Sequence, residues 1–267
     1  MSIFVVPEIL SEERVDEAAE RINYYYTELT TKGRKLYSGS LFDKFAPDQN
    51  PEGAFTAADF LSTGLLSVHV PGEAISKFFS DAELMEELEN HLRQLPANVD
   101  LGDLNESAFD RLLGSKDSPG FMLWDLIRGN RVHGKAGQDY VGMGATLTSK
   151  VLARKRPRMI PIWDSKIKEK IQLSHSGGHW EGMWHALTDQ GGELANRLRT
   201  IREKSDQRQI SLLRTFDVAV WHFAKEPRDQ WSRPSASKES EPADDDGMIG
   251  DAADAVDVAP DVKTLQK

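Results

Sequence analysis

Apolar side chains recur three and four positions apart through most of the first 225 residues, and no run alternates convincingly with period two. That periodicity belongs to helices with one buried stripe, so it restricts the chain to a mainly α class. The clearest case is "LMEELENHLRQL", where Leu84, Leu88, Leu92 and Leu95 fall on one face and Pro96 ends the run. "ISLLRTFDVAVWHFAK" repeats the pattern from Ile210 to Val220, and both stripes read as core. A first helix is expected after Ser11, with Val15, Ala18, Ala19, Ile22 and a tyrosine of Tyr24–Tyr25–Tyr26 inward. Three consecutive rings cannot share one helix face, so at least one of these tyrosines should be exposed.

Local end signals place the other helices. Thr56 with Asp59 three residues on reads as an N-cap opening "AADFLSTGLLSV", and Ser80 with Glu83 as a capping box before the leucine stripe. Ser118 should cap a helix whose first position is Pro119, a residue that has no amide hydrogen to lose there. "TTKGRKLYSGSLFDKFAPDQNPEGA" is rich in Gly, Pro, Asn and Asp and reads as loop. Further helices are expected in "GHWEGMWHALTD" and "GELANRLRTIREK".

The composition changes at Ser235. From there to Lys267 the chain has nine acids, three lysines and no aromatic ring, so it cannot bury enough to fold alone. The expected organisation is a helical body over 1–234 and a disordered acidic tail over 235–267. The tail's net of −6 leaves about −4 of the chain's −10 for the body. There is no cysteine, which excludes disulfides, thiolate-bound zinc, iron–sulfur clusters and cysteine nucleophiles. The opening "MSIFVVPEILSEER" lacks a basic region before its short apolar run, and no segment approaches membrane-spanning length. A cytoplasmic protein with no membrane association is the expectation.

The chemistry concentrates in "VGMGATLTSKVLARKRPRMIPIWDSKI", residues 141–167. Gly142 and Gly144 permit a tight turn whose amides lead into a helix over 146–154, and an amide-rich helix start attracts phosphate. Lys150, Arg154, Lys155, Arg156 and Arg158 outnumber the acids there, which suggests a local basic face. Pro157 stops the helix, Pro161 favours an extended backbone, and Asp164 stands where "SKIKEKI" begins. Asp164 has two readings, an N-cap of that helix or a carboxylate held near the phosphate-facing side of a helical hairpin.

These residues resemble the helix-hairpin-helix motif and trailing aspartate of the helix-hairpin-helix DNA glycosylase superfamily. Gly142 and Gly144 match its hairpin glycines, and Asp164 matches its catalytic aspartate. Bifunctional members carry a lysine two residues after the second glycine; Thr146 occupies that place here, so the resemblance implies a monofunctional glycosylase without the lyase step. A first hairpin helix ending in Leu-Pro is missing, because "GNRVHGKAGQDYVGMG" is loop-like; either the hairpin begins at Phe121–Arg128 with an insertion, or it is degenerate. The hairpin and catalytic segment then occupy about 120–170. Over residues 20–225, "GSLFDKF", "FTAADFLSTGLLSVHVPGEA" and "VLARKRPRMIPIWD" also resemble an uncharacterised actinobacterial family known only as a domain of unknown function.

Hydrolysis of an N-glycosidic bond builds positive charge on the sugar, which a carboxylate stabilises while it orients the attacking water. Asp164 is the expected catalytic residue. Gly142, Gly144, Thr146, Lys150 and Arg154 are the expected contacts to the DNA backbone, and Trp163 and Trp124 the expected base pocket or wedge. Phe121, Trp180 and Trp184 are further aromatic candidates for which core packing is the commoner fate. "HSGGHWEGMWH" offers His175, His179 and His185, but without the tighter patterning of a zinc site, so no metal and no cofactor is expected and His179 and His185 should meet phosphate or solvent.

The leading reading is a DNA glycosylase acting on double-stranded DNA at a damaged or modified base, in repair or in defence against phage carrying hypermodified bases. The alternatives are a non-catalytic helix-hairpin-helix protein that grips duplex backbone, and an interaction module whose acidic tail mimics nucleic acid or engages a basic protein partner.

Overall fold

A computed structural model describes residues 4–132, 135–136, 141–226 and 231. The protein is mainly helical, as the periodicity requires. The expected acidic tail lies outside the described residues.

The chain opens with two short 3-10 turns, Glu8–Leu10 and Glu12–Arg14, and continues into α1 (Val15–Thr27). Ile22 is fully buried on α1, Tyr25 and Tyr26 are nearly so, and Tyr24 is half-buried. All three rings find cover because α1 packs against both α10 (Glu193–Lys204) and α11 (Leu212–Lys225), so its inward arc is wider than a single stripe. A seven-residue 3-10 segment, Ser38–Lys44, and a single turn at Pro47–Gln49 order part of the stretch expected to be loop.

The second expected helix is shorter than its apolar pattern suggests. α2 covers only Ala57–Leu61 and tightens into a 3-10 helix over Ser62–Leu66. Asp59 does reach back to the Thr56 amide, at 2.8 Å. α3 (Gly72–Ser80) is followed directly by α4 (Ala82–Arg93), and the cap of α4 is Asp81, whose carboxylate accepts from the Leu84 amide at 2.9 Å. Ser80 is thus the last residue of α3 and not the capping residue expected for α4, because the two helices leave only one residue between them. Leu84, Leu88, Leu92 and Leu95 are all buried.

After α5 (Glu106–Phe109) and a π turn at Asp110–Gly114, Ser118 caps α6 (Pro119–Arg128) by accepting from Phe121 N at 3.3 Å. A minimal antiparallel pair, β1 (Arg131–Val132) and β2 (Lys135–Ala136), separates α6 from α7 (Ala145–Lys155). α6 and α7 touch, α7 is followed by an extended segment, and α8 (Ser165–Ile171) packs on α11. α9 (His179–Thr188) closes the body against α10. The buried apolar side chains of nearly all these helices form one continuous core. No helix among the described residues is long and apolar enough to cross a membrane.

The basic run of α7 has the opposite orientation to the one its charge suggests. Arg154, Lys155 and Arg156 are all at most 5% exposed. Arg154 donates to the carbonyls of Phe42 (3.0 Å) and Phe45, while Lys155 reaches Asn50 Oδ1 (2.8 Å) and Pro51 O (2.7 Å). Arg156 donates to Leu92 O and Leu95 O at the end of α4, both at 2.6 Å, and to Glu52 O at 2.9 Å. A helix end and a loop with no ladder of their own carry surplus carbonyls, and three buried cations satisfy them. Asp59, fully buried, supplies the counter-charge at 3.3 Å from Lys155 and 3.6 Å from Arg154.

Candidate active site

Asp164 is delivered by three local devices. Gly142 has φ +78°, a conformation L side chains rarely adopt, and a Cβ there would lie 2.9 Å from Pro71 Cγ. Gly144, in ordinary extended backbone, then begins α7. The extended return from α7 is tied to the helix at Ser149, whose hydroxyl accepts from Trp163 N at 2.9 Å and donates to Trp163 O at 3.2 Å. One residue later, Asp164 Oδ1 accepts from Lys166 N and Ile167 N, each at 3.0 Å, so the N-cap reading of this residue describes its local contacts. Oδ2 has no hydrogen bond among the described residues.

The same carboxylate lines a cavity of about 210 Å³. Its other walls come from the Ser38–Lys44 turn and the loop before it, the Ser62–Leu66 turn, α1, α7 and α11. Tyr25 and Tyr37, stacked at 5.0 Å and 13°, and Trp221, edge-on to both, give it aromatic faces. Gly39 lies against Tyr25 so closely that a Cβ would meet the hydroxyl at 2.0 Å. Lys150, Arg214 and Asp217 complete the polar lining.

The charges in this cavity are desolvated, and Arg214 and Asp217 are paired directly. Lys150 Nζ donates to Leu66 O at 3.1 Å, and burial lowers its pKa against the opposing pull of Asp164 and Asp217. Asp217 accepts from Arg214 Nη1. Burial pushes the Asp217 carboxyl up to about 6; Arg214 opposes the rise and Asp164 adds to it. Arg214 is itself fixed by Asp43 (3.1 Å) and Gly39 O (2.7 Å). Tyr37 donates to Glu226 Oε1 at 2.8 Å, and burial raises its pKa. A carboxylate, a second carboxyl able to carry a proton and a buried ammonium beside aromatic rings are components for acid–base chemistry.

The residues singled out in sequence divide into three groups. Asp164 and Lys150 meet at the cavity. Gly142, Gly144 and Thr146 remain at the turn, with Gly142 exposed and the other two half-buried. Arg154 and Trp163 turn inward: Arg154 serves loop carbonyls and cannot also meet a phosphate, and Trp163, 5% exposed, packs in the core with its ring 5.1 Å from His179. Lys150, 4% exposed, likewise presents no ammonium on the surface to a DNA backbone. Trp124 is edge-on to Trp180 at 5.5 Å and, like Trp163, lines no part of the cavity, so neither forms the base pocket expected of it. His179 is buried instead of facing phosphate or solvent, and its pKa falls to about 3 through burial; the exposed His185 lies 3.6 Å from Asp189. Trp184 stacks on Phe109 at 4.7 Å and donates to Leu104 O at 2.8 Å.

Tyr25, Tyr37, Arg214, Asp217 and Trp221 were not legible as site residues. Tyr25 and the α11 residues fall at helical spacings that read as packing positions and Tyr37 lies in a stretch that reads as loop, so only the packing of these segments around α7 turns them to a cavity.

No curated protein and no solved structure matches the chain significantly. A family model described as "Family of unknown function (DUF6308)" matches residues 18–224, which include every residue lining the cavity except Lys225, and the chain belongs to that family.

Proposed function

We propose that the protein is a monofunctional DNA glycosylase that hydrolyses the N-glycosidic bond of a damaged or modified base in duplex DNA. The observation that carries this reading is the position of Asp164: it follows the glycine turn, α7 and the extended return, and it opens into an aromatic-lined cavity. Contact between α6 and α7 across the short β pair supports a helix-hairpin-helix with an insertion. In the proposed reaction a nucleotide leaves the stack, its base enters beside Tyr25, Tyr37 and Trp221, and Asp164 Oδ2 orients water and stabilises the positive sugar. Water oxygen bonds to C1′ and gives up one proton as the bond from C1′ to the base nitrogen breaks with its electron pair on nitrogen; the departing base takes up one proton in exchange, and an abasic site remains.

The test compares wild type with Asp164→Asn on genomic DNAs carrying different base modifications, with abasic sites as readout. Asn caps helices about as well as Asp, so the variant keeps α8 while losing the charge. Abasic sites from wild type alone support the reading. A second reading, a non-catalytic DNA-binding protein, draws on the two amide bonds that already satisfy Asp164 Oδ1. It expects both proteins to bind duplex equally and neither to make abasic sites.

A further inference from the structure

Lys150 and Arg154, the two cations expected on a DNA backbone, face inward, so a duplex at the cavity needs other contacts. A stretch with no helical pattern carries exposed cations beside the cavity rim. Residues 28–36 form a tight tongue: Leu36 N donates to Glu28 O at 3.1 Å, Thr30 N to Arg34 O at 2.7 Å, and Gly33, at φ +72°, turns the chain with its amide on Thr30 O at 2.8 Å. Leu29 and Lys35 pair across it as an antiparallel bridge. The strands of this tongue are therefore fixed, and its side chains project from a defined frame.

Three features of the tongue point to one kind of partner. Between Leu29 and Phe42 there is no acid, against Lys32, Arg34 and Lys35. Lys35 is committed to Tyr26 O at 2.6 Å, whereas Lys32 and Arg34 are exposed and make no side-chain ion pair among the described residues. Leu36, 37% exposed, lines the cavity, and the wall continues directly through Tyr37 to Gly39. An exposed apolar side chain at a cavity rim, on the same tongue as the exposed cations Lys32 and Arg34, matches a polyanion whose stacked rings lie next to its phosphates.

We infer that the tongue at residues 28–36 is the duplex-DNA contact of this cavity, with Lys32 and Arg34 on backbone phosphates and Leu36 filling the stack where a nucleotide is drawn toward Asp164. The inference rests on the glycosylase reading for its partner, but it concerns binding and is testable without knowing which base is removed.

The experiment uses the full chain and fluorescence anisotropy on two labelled duplexes, one intact and one bearing a tetrahydrofuran abasic analogue, over a range of salt. Wild type is expected to bind both and to prefer the analogue, whose empty position Leu36 can fill. Lys32→Ala/Arg34→Ala should weaken both complexes and lower the slope of log affinity against log salt by about two, since each lost phosphate contact removes nearly one counterion. Arg111→Ala/Lys116→Ala, an equal charge change at residues that line no part of the cavity, should leave the slope nearly unchanged. Leu36→Ala should retain binding to the intact duplex and lose the preference for the analogue. Thermal unfolding of each variant checks that these exposed substitutions leave the fold intact. An unchanged slope in Lys32→Ala/Arg34→Ala overturns the tongue while DNA binding stands. Equal affinity of wild type for both duplexes overturns the role of Leu36. Failure of wild type to bind either duplex at low salt overturns the DNA reading itself, and the tongue assignment with it.

Discussion

Asp164 and Asp217 line one cavity from two helices that meet only in the tertiary fold, Asp164 at the start of α8 and Asp217 within α11. Their environments differ in kind. Two backbone amides donate to Asp164, whereas Asp217 is buried against Arg214 and its carboxyl rises to about 6. Two carboxyl groups in unlike environments can divide the roles of charge stabiliser and proton carrier.

The pH dependence of stability should report Asp217. Its pKa is raised from 3.8 to about 6, so the folded state binds the proton more tightly than the unfolded state. The stabilisation from that proton is fully present below about pH 4 and is lost as pH rises through 6. Urea midpoints of wild type and Asp217→Asn, taken at steps from pH 4 to 7.5, should show the wild-type advantage shrinking over that window. A constant difference between the two proteins would place the Asp217 carboxyl outside it.

His179 should act with the opposite sign. Burial lowers its pKa from 6.5 to about 3, and Nε2 has no hydrogen-bond partner among the described residues. A neutral buried imidazole contributes stability above pH 6.5 that is lost as pH falls toward 3. His179→Phe keeps a ring against Trp163, and it should lose less stability than wild type between pH 7 and 4.5. Thermal unfolding at the two pH values measures this.

Asp59 should be among the costliest single positions in the body. It is the counter-charge to both Lys155 and Arg154, and all three are almost fully buried. Removing one member of such a cluster leaves uncompensated charge, typically at a cost of about 3 to 5 kcal/mol. Asp59→Ala should therefore lose at least that order of stability in urea titrations. Lys155→Met, which keeps the Asp59–Arg154 pair, should lose less.

The two glycines of the turn before α7, Gly142 and Gly144, should differ sharply when replaced. Gly142→Ala combines positive φ with a contact of 2.9 Å to Pro71, whereas Gly144 has φ −69°. A left-handed conformation costs a non-glycine residue about 1 to 2 kcal/mol, to which the contact adds. Gly144→Ala carries no such backbone strain. Melting temperatures of the two variants test the contrast, and similar losses would show that Gly142 is not there for its backbone conformation.

The amino-acid sequence alone determined the features set by neighbours within a turn or two: the helical class, the buried leucines of α4, the Ser118 cap with Pro119, the turn at Gly142, and Asp164 at the head of α8. Each follows from periodicity or from a hydrogen bond spanning three or four residues. Tertiary structure decided where the charges and rings went. Arg154 and Arg156 look like a phosphate-binding face in sequence, yet they satisfy carbonyls of Phe42, Leu92 and Leu95 from distant segments, because unsatisfied buried carbonyls attract a cation wherever packing brings one. Trp163 adjoins Asp164 in the chain but points into the core, while Tyr25, Tyr37 and Trp221, far away in sequence, form the cavity around it. Periodicity fixes which face of a helix is turned inward; whether that face meets core or cavity depends on helices whose approach no local signal encodes.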